Sequence, residues 1–268
     1  MATVVFVHAH PDDEASQTSG SMARAVSEGH RVVLVVATNG DHGDAPDDLA
    51  EGETVVHRRR VEAEAAGAVI GTHRVVFLGY ADSGMTGWAQ NDHEASFMRV
   101  DTEEAARRVA DVLREERADV VVGYDWHGGY GHPDHVKVHA VTRRAAELAG
   151  TTRYLESSMN RSAMVRSYEA ARAASQQIGE DWDPSAPMDD GNPLGSLEEE
   201  LHWACDVSDF LEVKRSALKA HASQSDARGM LEMPEQMFAM AFGWEHFIEP
   251  GRPDGMVDGW FLDAGAVG

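Results

Sequence analysis

The stretch TVVFVHAHPDDE, residues 3–14, joins an apolar run to an abrupt cluster of histidine, proline and acid. Thr3 to Ala9 is short, rich in β-branched residues and stopped by His-Pro, so it reads as a buried strand. Three more runs of the same kind follow: Arg31 to Thr38 (RVVLVVAT), Arg74 to Tyr80 (RVVFLGY) and Asp119 to Tyr124 (DVVVGY). Helical stretches lie between them. These are Ser16 to Gly29, Glu53 to Ile70, Asp101 to Arg117 and, after the fourth strand, Asp134 to Ala149. Asp101 reads as a cap with Glu104 three residues on, and Ala105, Val109, Val112 and Leu113 share one face. Strands alternating with helices, and strands with almost no polar interruption, predict an α/β fold: a Rossmann-like, mostly parallel sheet with helices on both faces.

The remainder is less regular. Tyr154 to Met159 reads as a fifth strand, Gln177 to Ser196 as a long loop, and Asp209 to Ala222 as a helix. One domain over residues 1–268 is expected, with 1–150 as the Rossmann-like core and 151–268 covering the site.

Composition narrows the function classes. Acidic residues number 46 against 23 basic ones, a formal charge of −23. Such a surface repels phosphate backbones and anionic lipid, so no nucleic-acid or membrane partner is expected. Cys205 is the only cysteine, which excludes an intrachain disulfide and a cysteine-rich zinc site. No leader-like segment or membrane-length apolar run is seen, and a cytoplasmic protein is expected. Oligomeric state is left open, a homo-oligomer included.

In open parallel sheets, ligands sit beyond the carboxyl ends of the strands. Two polar turns lie there: His10-Pro11-Asp12-Asp13-Glu14 after the first strand, and Tyr130-Gly131-His132-Pro133-Asp134-His135 after the fourth. Alone, the first could merely start the next helix, since Asp suits a cap and Pro the first turn, and the second could be a turn with solvated histidines. Together they supply what a catalytic zinc takes, three His or carboxylate ligands with a fourth position open. His10 and Asp13 from one turn and His135 from the other are the expected ligands. Iron(II) accepts the same donors. A zinc there lowers the pKa of water to about 7. Asp12 is then the expected general base. Protonated His132 is the expected oxyanion stabiliser and proton donor, Tyr130 a further oxyanion donor, and Asp134 the residue that orients His132.

Other histidines carry weaker signals. His8 shares a strand face with His10 and is expected to be packed. His139 lies four residues after His135, so a helical two-histidine site is the competing arrangement. His42 belongs to a rim or to a solvated loop. His57, His73, His93 and His127 have no partner legible in the sequence.

At the two turns the sequence resembles the LmbE-like family of zinc deacetylases, also called PIG-L or N-acetylglucosaminyl-phosphatidylinositol de-N-acetylases. The resemblance covers residues 3 to about 145 and resumes at Asp206 to Gln224. It implies a Rossmann-like fold, His10, Asp13 and His135 on zinc, Asp12 as base, and His132 as acid or oxyanion stabiliser. Tyr130, two before His132, is as in the mycothiol-pathway branch, which holds N-acetylglucosaminyl-inositol deacetylase and mycothiol conjugate amidase. Asp82-Ser83-Gly84-Met85 is similar to that branch's substrate loop, which implies that Asp82 binds sugar hydroxyls. Arg59 matches its substrate-binding arginine. Asn39-Gly40-Asp41-His42-Gly43 departs from the family's usual Gly-Glu-x-Gly, and Ala163 to Ser196 matches no branch.

The reading is therefore a zinc hydrolase that removes acetyl from a small N-acyl amino sugar of the N-acetylglucosamine type. Its rivals are an amidase acting on a thiol-conjugate or cysteinyl amide, and a non-catalytic metal- or sugar-binding protein. A nucleotide-binding Rossmann enzyme is disfavoured, because no Gly-x-Gly-x-x-Gly follows the first strand.

Overall fold

The computed structural model describes residues 1–173 and 183–263. Its strands are β1 (Thr3–His8), β2 (Arg31–Thr38), β3 (Arg74–Tyr80), β4 (Val120–Tyr124), β5 (Arg153–Ser158), β6 (Trp203–Asp206), β7 (Trp244–Ile248) and β8 (Val257–Asp258). The helices are α1 (Asp13–Gln17), α2 (Ser19–Ser27), α3 (Val55–Ile70), α4 (Thr102–Glu116), α5 (Pro133–Ala149), α6 (Arg161–Ala173), α7 (Leu211–Ala220), α8 (Ser225–Leu231) and α9 (Glu235–Phe242).

One sheet carries all eight strands in the order β3-β2-β1-β4-β5-β7-β6-β8. β1 to β5 are parallel, β7 runs antiparallel to β5 and to β6, and the short β8 pairs parallel with β6. The fold is α/β, as read from the alternation of elements. The antiparallel extension was not legible, because four- and five-residue strands containing His, Glu and Trp carry no periodic signal.

Strand alternation sends successive residues to opposite faces and builds two apolar layers. Val4, Phe6, Val32 and Leu34 face Met22 of α2, Ala66 and Ile70 of α3, and Leu218 of α7. Val5, Val7, Val33 and Val35 face Ala105 and Val109 of α4 and Val138 and Val141 of α5. Central strands buried on both faces explain the unbroken valine runs.

Element boundaries follow local chemistry. Asp101 caps α4 by accepting from the Glu104 N–H, as expected, and Arg117 ends it at φ 53°. Thr54 caps α3, so that helix starts at Val55 rather than Glu53. The single helix expected over Ser16–Gly29 is broken at Thr18 (φ −132°) into α1 and α2. The helix expected from Asp209 begins as a 3-10 turn, Ser208–Phe210, before α7. Of the long loop expected over Gln177–Ser196, positions 177–182 lie outside the described residues. The rest packs on the loop after β4, where the Gly195 N–H donates to the Gly129 carbonyl at 2.6 Å. Among the described residues no helix is long and apolar enough to cross a membrane.

Candidate active site

β1 and β4 are neighbours, yet the chain leaves β1 for β2 and β3 on one side and returns to β4 on the other. That reversal opens a crevice at their carboxyl ends. The turns after β1 and β4 meet there, with Asp82 from the loop after β3.

Three residues converge at the meeting point, Asp13 through both of its carboxylate oxygens. His10 Nδ1 is 3.3 Å from His135 Nε2 and 3.3 Å from Asp13 Oδ2. His135 Nε2 is 3.3 Å from Asp13 Oδ1. A tetrahedral ion with ligand bonds of roughly 2.0–2.1 Å has edges of roughly 3.3–3.4 Å, so the spacing fits one. Hydrogen placement strengthens the case. His135 Nδ1 lies 3.1 Å from the Gly128 carbonyl, to which it donates, leaving Nε2 as a bare lone pair. His10 Nε2 lies 3.2 Å from Asp134 Oδ2 and donates there, leaving Nδ1 bare. Two lone pairs and a carboxylate then face each other in a buried spot, a repulsive arrangement that a cation relieves. In the bare protein a proton serves instead. Burial opposes it, but the carboxylates of Asp13, Asp134 and Asp82 outweigh burial and hold His10 well above the usual imidazole range.

A surrounding layer fixes these ligands. The Asp134 carboxylate accepts from Ser83 through both the backbone N–H (2.8 Å) and the hydroxyl, and from His10. This corrects the expectation that Asp134 orients His132: the carboxylate serves His10, and only its backbone N–H meets His132 Nδ1, at 3.1 Å. Gln17 donates to Asp13 Oδ1 at 3.2 Å. Tyr124 stacks on the His135 ring, centroids 4.4 Å apart and planes nearly parallel. His8 lies packed between the Tyr124 hydroxyl (2.8 Å) and Thr18 (2.7 Å), and burial drops its pKa to about 4. Gly128 (φ 65°) is required, since a Cβ there would lie 2.4 Å from that of His135.

The ligand cluster floors a cleft of about 340 Å³, lined by Asp12, His42, Arg59, Asp82, Tyr130 and His132 among others. Leu218 of α7 and Ala227 and Met230 of α8 form an apolar wall. Asp12 precedes α1 but its side chain makes no cap hydrogen bond, so the helix-start reading does not account for it. It sits at φ 116° with Oδ2 3.0 Å from Arg59 Nη2. Burial raises its pKa to about 6 against the pull of Arg59. His132 caps α5 by accepting the Asp134 N–H on Nδ1, which leaves a proton on Nε2 of the neutral ring. Burial, with the charges of His10 and His135, drops its pKa to about 2. The protonated His132 expected from the sequence is therefore a neutral donor in this state. The Tyr130 hydroxyl is 3.5 Å from His135 Nε2. Asp82 Oδ1 accepts from the Gly84 N–H at 2.8 Å and lies 3.6 Å from His10 Nε2. Arg59 is buried, and its Nη atoms donate to the carbonyls of Gly40 and Pro11 as well as meeting Asp12. It builds the turn that carries Asp12 as much as it lines the cleft.

The helical two-histidine arrangement does not form: His139 Nδ1 meets the Tyr124 carbonyl at 3.0 Å, away from the cluster. His127 is buried, with Nε2 2.8 Å from Asp190. Sequence reasoning missed Ser83, Glu14 and His221. Serine after a strand and a glutamate in a helix start are too common to stand out, and His221 lies 207 residues from its partner Glu14.

The chain is similar to known proteins in sequence and in fold. A model of the PIG-L family, described as GlcNAc-PI de-N-acetylase, matches residues 5–146. The chain is 35% identical to a 1D-myo-inositol 2-acetamido-2-deoxy-alpha-D-glucopyranoside deacetylase 2 of Catenulispora acidiphila, over 96% of this chain and 91% of that protein. It is 36% identical to a deacetylase named for the same compound in Acidothermus cellulolyticus, over 92% of this chain and 88% of that one. Among solved structures, N,N'-diacetylchitobiose deacetylase from Pyrococcus horikoshii superposes with a TM-score of 0.59 at 20% identity, covering 92% of this chain and 83% of the other. At that identity the likeness bears on the fold.

Proposed function

The chain belongs to the PIG-L (GlcNAc-PI de-N-acetylase) family, and from that premise we propose that it is a zinc-dependent hydrolase that removes the acetyl group from an N-acetylglucosaminyl-inositol type of amino sugar. The observation that carries the proposal is the triangle of residues His10, Asp13 and His135, in which His10 Nδ1 and His135 Nε2 lie 3.3 Å apart and each lies 3.3 Å from one of the two Asp13 carboxylate oxygens. These residues would hold the metal, and iron(II) suits the same donors. When bound, the metal supplies a polarised amide carbonyl and a water acidic near neutrality.

The remaining work falls to side chains. Asp12 accepts the water's proton, aimed by Arg59. His132 presents its Nε2–H, and Tyr130 its hydroxyl, to the oxygen that gains charge. Since His132 Nδ1 already accepts a backbone N–H, a second ring proton would break that bond. Asp12 is therefore assigned the return of its proton to the leaving amine. Asp82 and Arg59 face the cleft as the polar groups for sugar hydroxyls, and the apolar wall from α7 and α8 supports the ring faces.

The test is amine release from 1D-myo-inositol 2-acetamido-2-deoxy-alpha-D-glucopyranoside, from simpler N-acetylglucosaminides and from acyl-cysteine amides, with metal content measured in parallel. Asp12→Asn is expected to keep its metal and lose about 10²- to 10⁴-fold in kcat. Turnover of the cysteinyl amides alone would replace deacetylation by the amidase reading. Metal-loaded protein inactive on the whole panel would remove the enzyme reading altogether.

A further inference from the structure

Asp12 is one of two residues other than glycine with a positive φ among those described, at 116°. Such a conformation is strained and persists only where surrounding contacts impose it. Three groups do so. Arg59 Nη2 holds the carboxylate, and the same nitrogen holds the carbonyl of Pro11 just before it. The Asp12 carbonyl accepts from the Ala15 N–H at 3.0 Å. The Asp12 N–H donates to Glu14 Oε2 at 3.1 Å.

Glu14 is fully buried, and its other oxygen accepts from His221 Nε2 at 2.6 Å. His221 is equally buried, at the C-terminal end of α7, and its Nδ1 has no hydrogen-bond partner among the described residues. Neither side chain lines the cleft or touches the ligand triangle. A buried carboxylate and imidazole are costly to keep, and here one end of the pair grips the backbone of the base.

We infer that Glu14 and His221 are positioning residues that hold the Asp12 backbone in its left-handed conformation, so that Arg59 and Glu14 clamp the base from its carboxylate and its amide sides. The inference rests on Asp12 acting as the base. It also gives the C-terminal part of the chain a task in the reaction: α7 brings in the histidine that keeps Glu14 turned toward Asp12.

The experiment compares His221→Ala, His221→Gln and Glu14→Gln with the parent, each checked for native folding by circular dichroism. Misplacing a reacting group by about 1 Å can cost on the order of 10²-fold. His221→Ala should therefore lower kcat roughly 10- to 100-fold, with KM and metal content unchanged. His221→Gln still offers Glu14 an N–H and should retain most activity. Glu14→Gln has one acceptor oxygen for two donors and should fall between them. Placed in Asp12→Asn, His221→Ala should cause no further loss, because the group it positions is already gone. An equal loss in both backgrounds overturns the inference.

Crystal structures of His221→Ala and Glu14→Gln supply a readout without turnover. The Asp12 φ should leave the left-handed region in one or both, and an unmoved Asp12 in both overturns the inference. If the parent enzyme turns over no amino sugar, the functional proposal fails while this structural arm still decides the clamp.

Discussion

His10 Nδ1 and His135 Nε2 stand 3.3 Å apart although 125 residues separate them, and each ring has its other nitrogen engaged, by Asp134 and by the Gly128 carbonyl. With those two hydrogen bonds made, the remaining nitrogens face each other at a spacing that one shared cation, a proton or a metal ion, would satisfy. His10→Ala and His135→Ala should each lose most bound metal in elemental analysis. Chelation should lower the Tm of the parent far more than that of either variant. A ligand at about 100 times its Kd stabilises by about 2.7 kcal/mol, and the variants lack that contribution. A parent protein that purifies without metal and whose Tm ignores added zinc would contradict the assignment.

Asp134 acts on His10 through its carboxylate. Removing such a partner of a metal-binding histidine typically weakens metal affinity by about 10- to 100-fold. Asp134→Ala should show that loss in a competition titration with a chromogenic chelator. Asp134→Asn keeps an acceptor oxygen for the His10 Nε2–H and should lose less. Equal affinities for both variants and the parent would show that the carboxylate does not orient the ligand.

Lys214 and Glu245 form a pair 2.7 Å apart, both buried, between α7 and β7. Glu245 also accepts the N–H groups of Gly20 and Ser21 at the start of α2, and Lys214 donates to the Ser16 carbonyl. Lys214→Ala strands a buried carboxylate and should cost about 3 kcal/mol in urea unfolding. Glu245→Ala strands the lysine and two helix N–H groups together and should cost more. The reverse order would mean that the capping bonds contribute little.

Burial raises the Glu156 carboxyl to about 7, with help from the neighbouring Asp125. The folded state then holds a proton that the unfolded state releases near 4.5. Stability contributed by this group is present below pH 4.5, falls as pH rises through the window from about 4.5 to 7, and stays lost above it. The loss is on the order of 3 kcal/mol. Glu156→Gln cannot ionise, so its Tm should exceed that of the parent at pH 8 and approach it at pH 5. A parallel pH dependence in both proteins would remove Glu156 as the cause.

Much of the site was legible because its parts are local. His10 and Asp13 share one turn, and His132 and His135 share another. Each turn follows a strand whose valine run marks it as buried on both faces, so the carboxyl-end position followed from topology rules alone. What stayed hidden was the choice among neighbours. His132 Nδ1 takes the Asp134 N–H while the Asp134 carboxylate turns away to Ser83 and His10. Spacing along the chain cannot say toward which of two histidines a carboxylate points. Arg59, likewise, was singled out from Arg58 and Arg60 by the family resemblance alone, and its burial and its bonds to Gly40, Pro11 and Asp12 are what the structure adds.

The residue order alone determined the parallel α/β core and the two turns of histidine and carboxylate at the ends of its strands, because periodicity and turn chemistry act over a few residues. Only the tertiary structure decided which nitrogen of each histidine is free, the left-handed backbone of Asp12, and the joining of Glu14 to His221. Those depend on hydrogen bonds between residues far apart in sequence, and such bonds exist only once the sheet has brought its edges together.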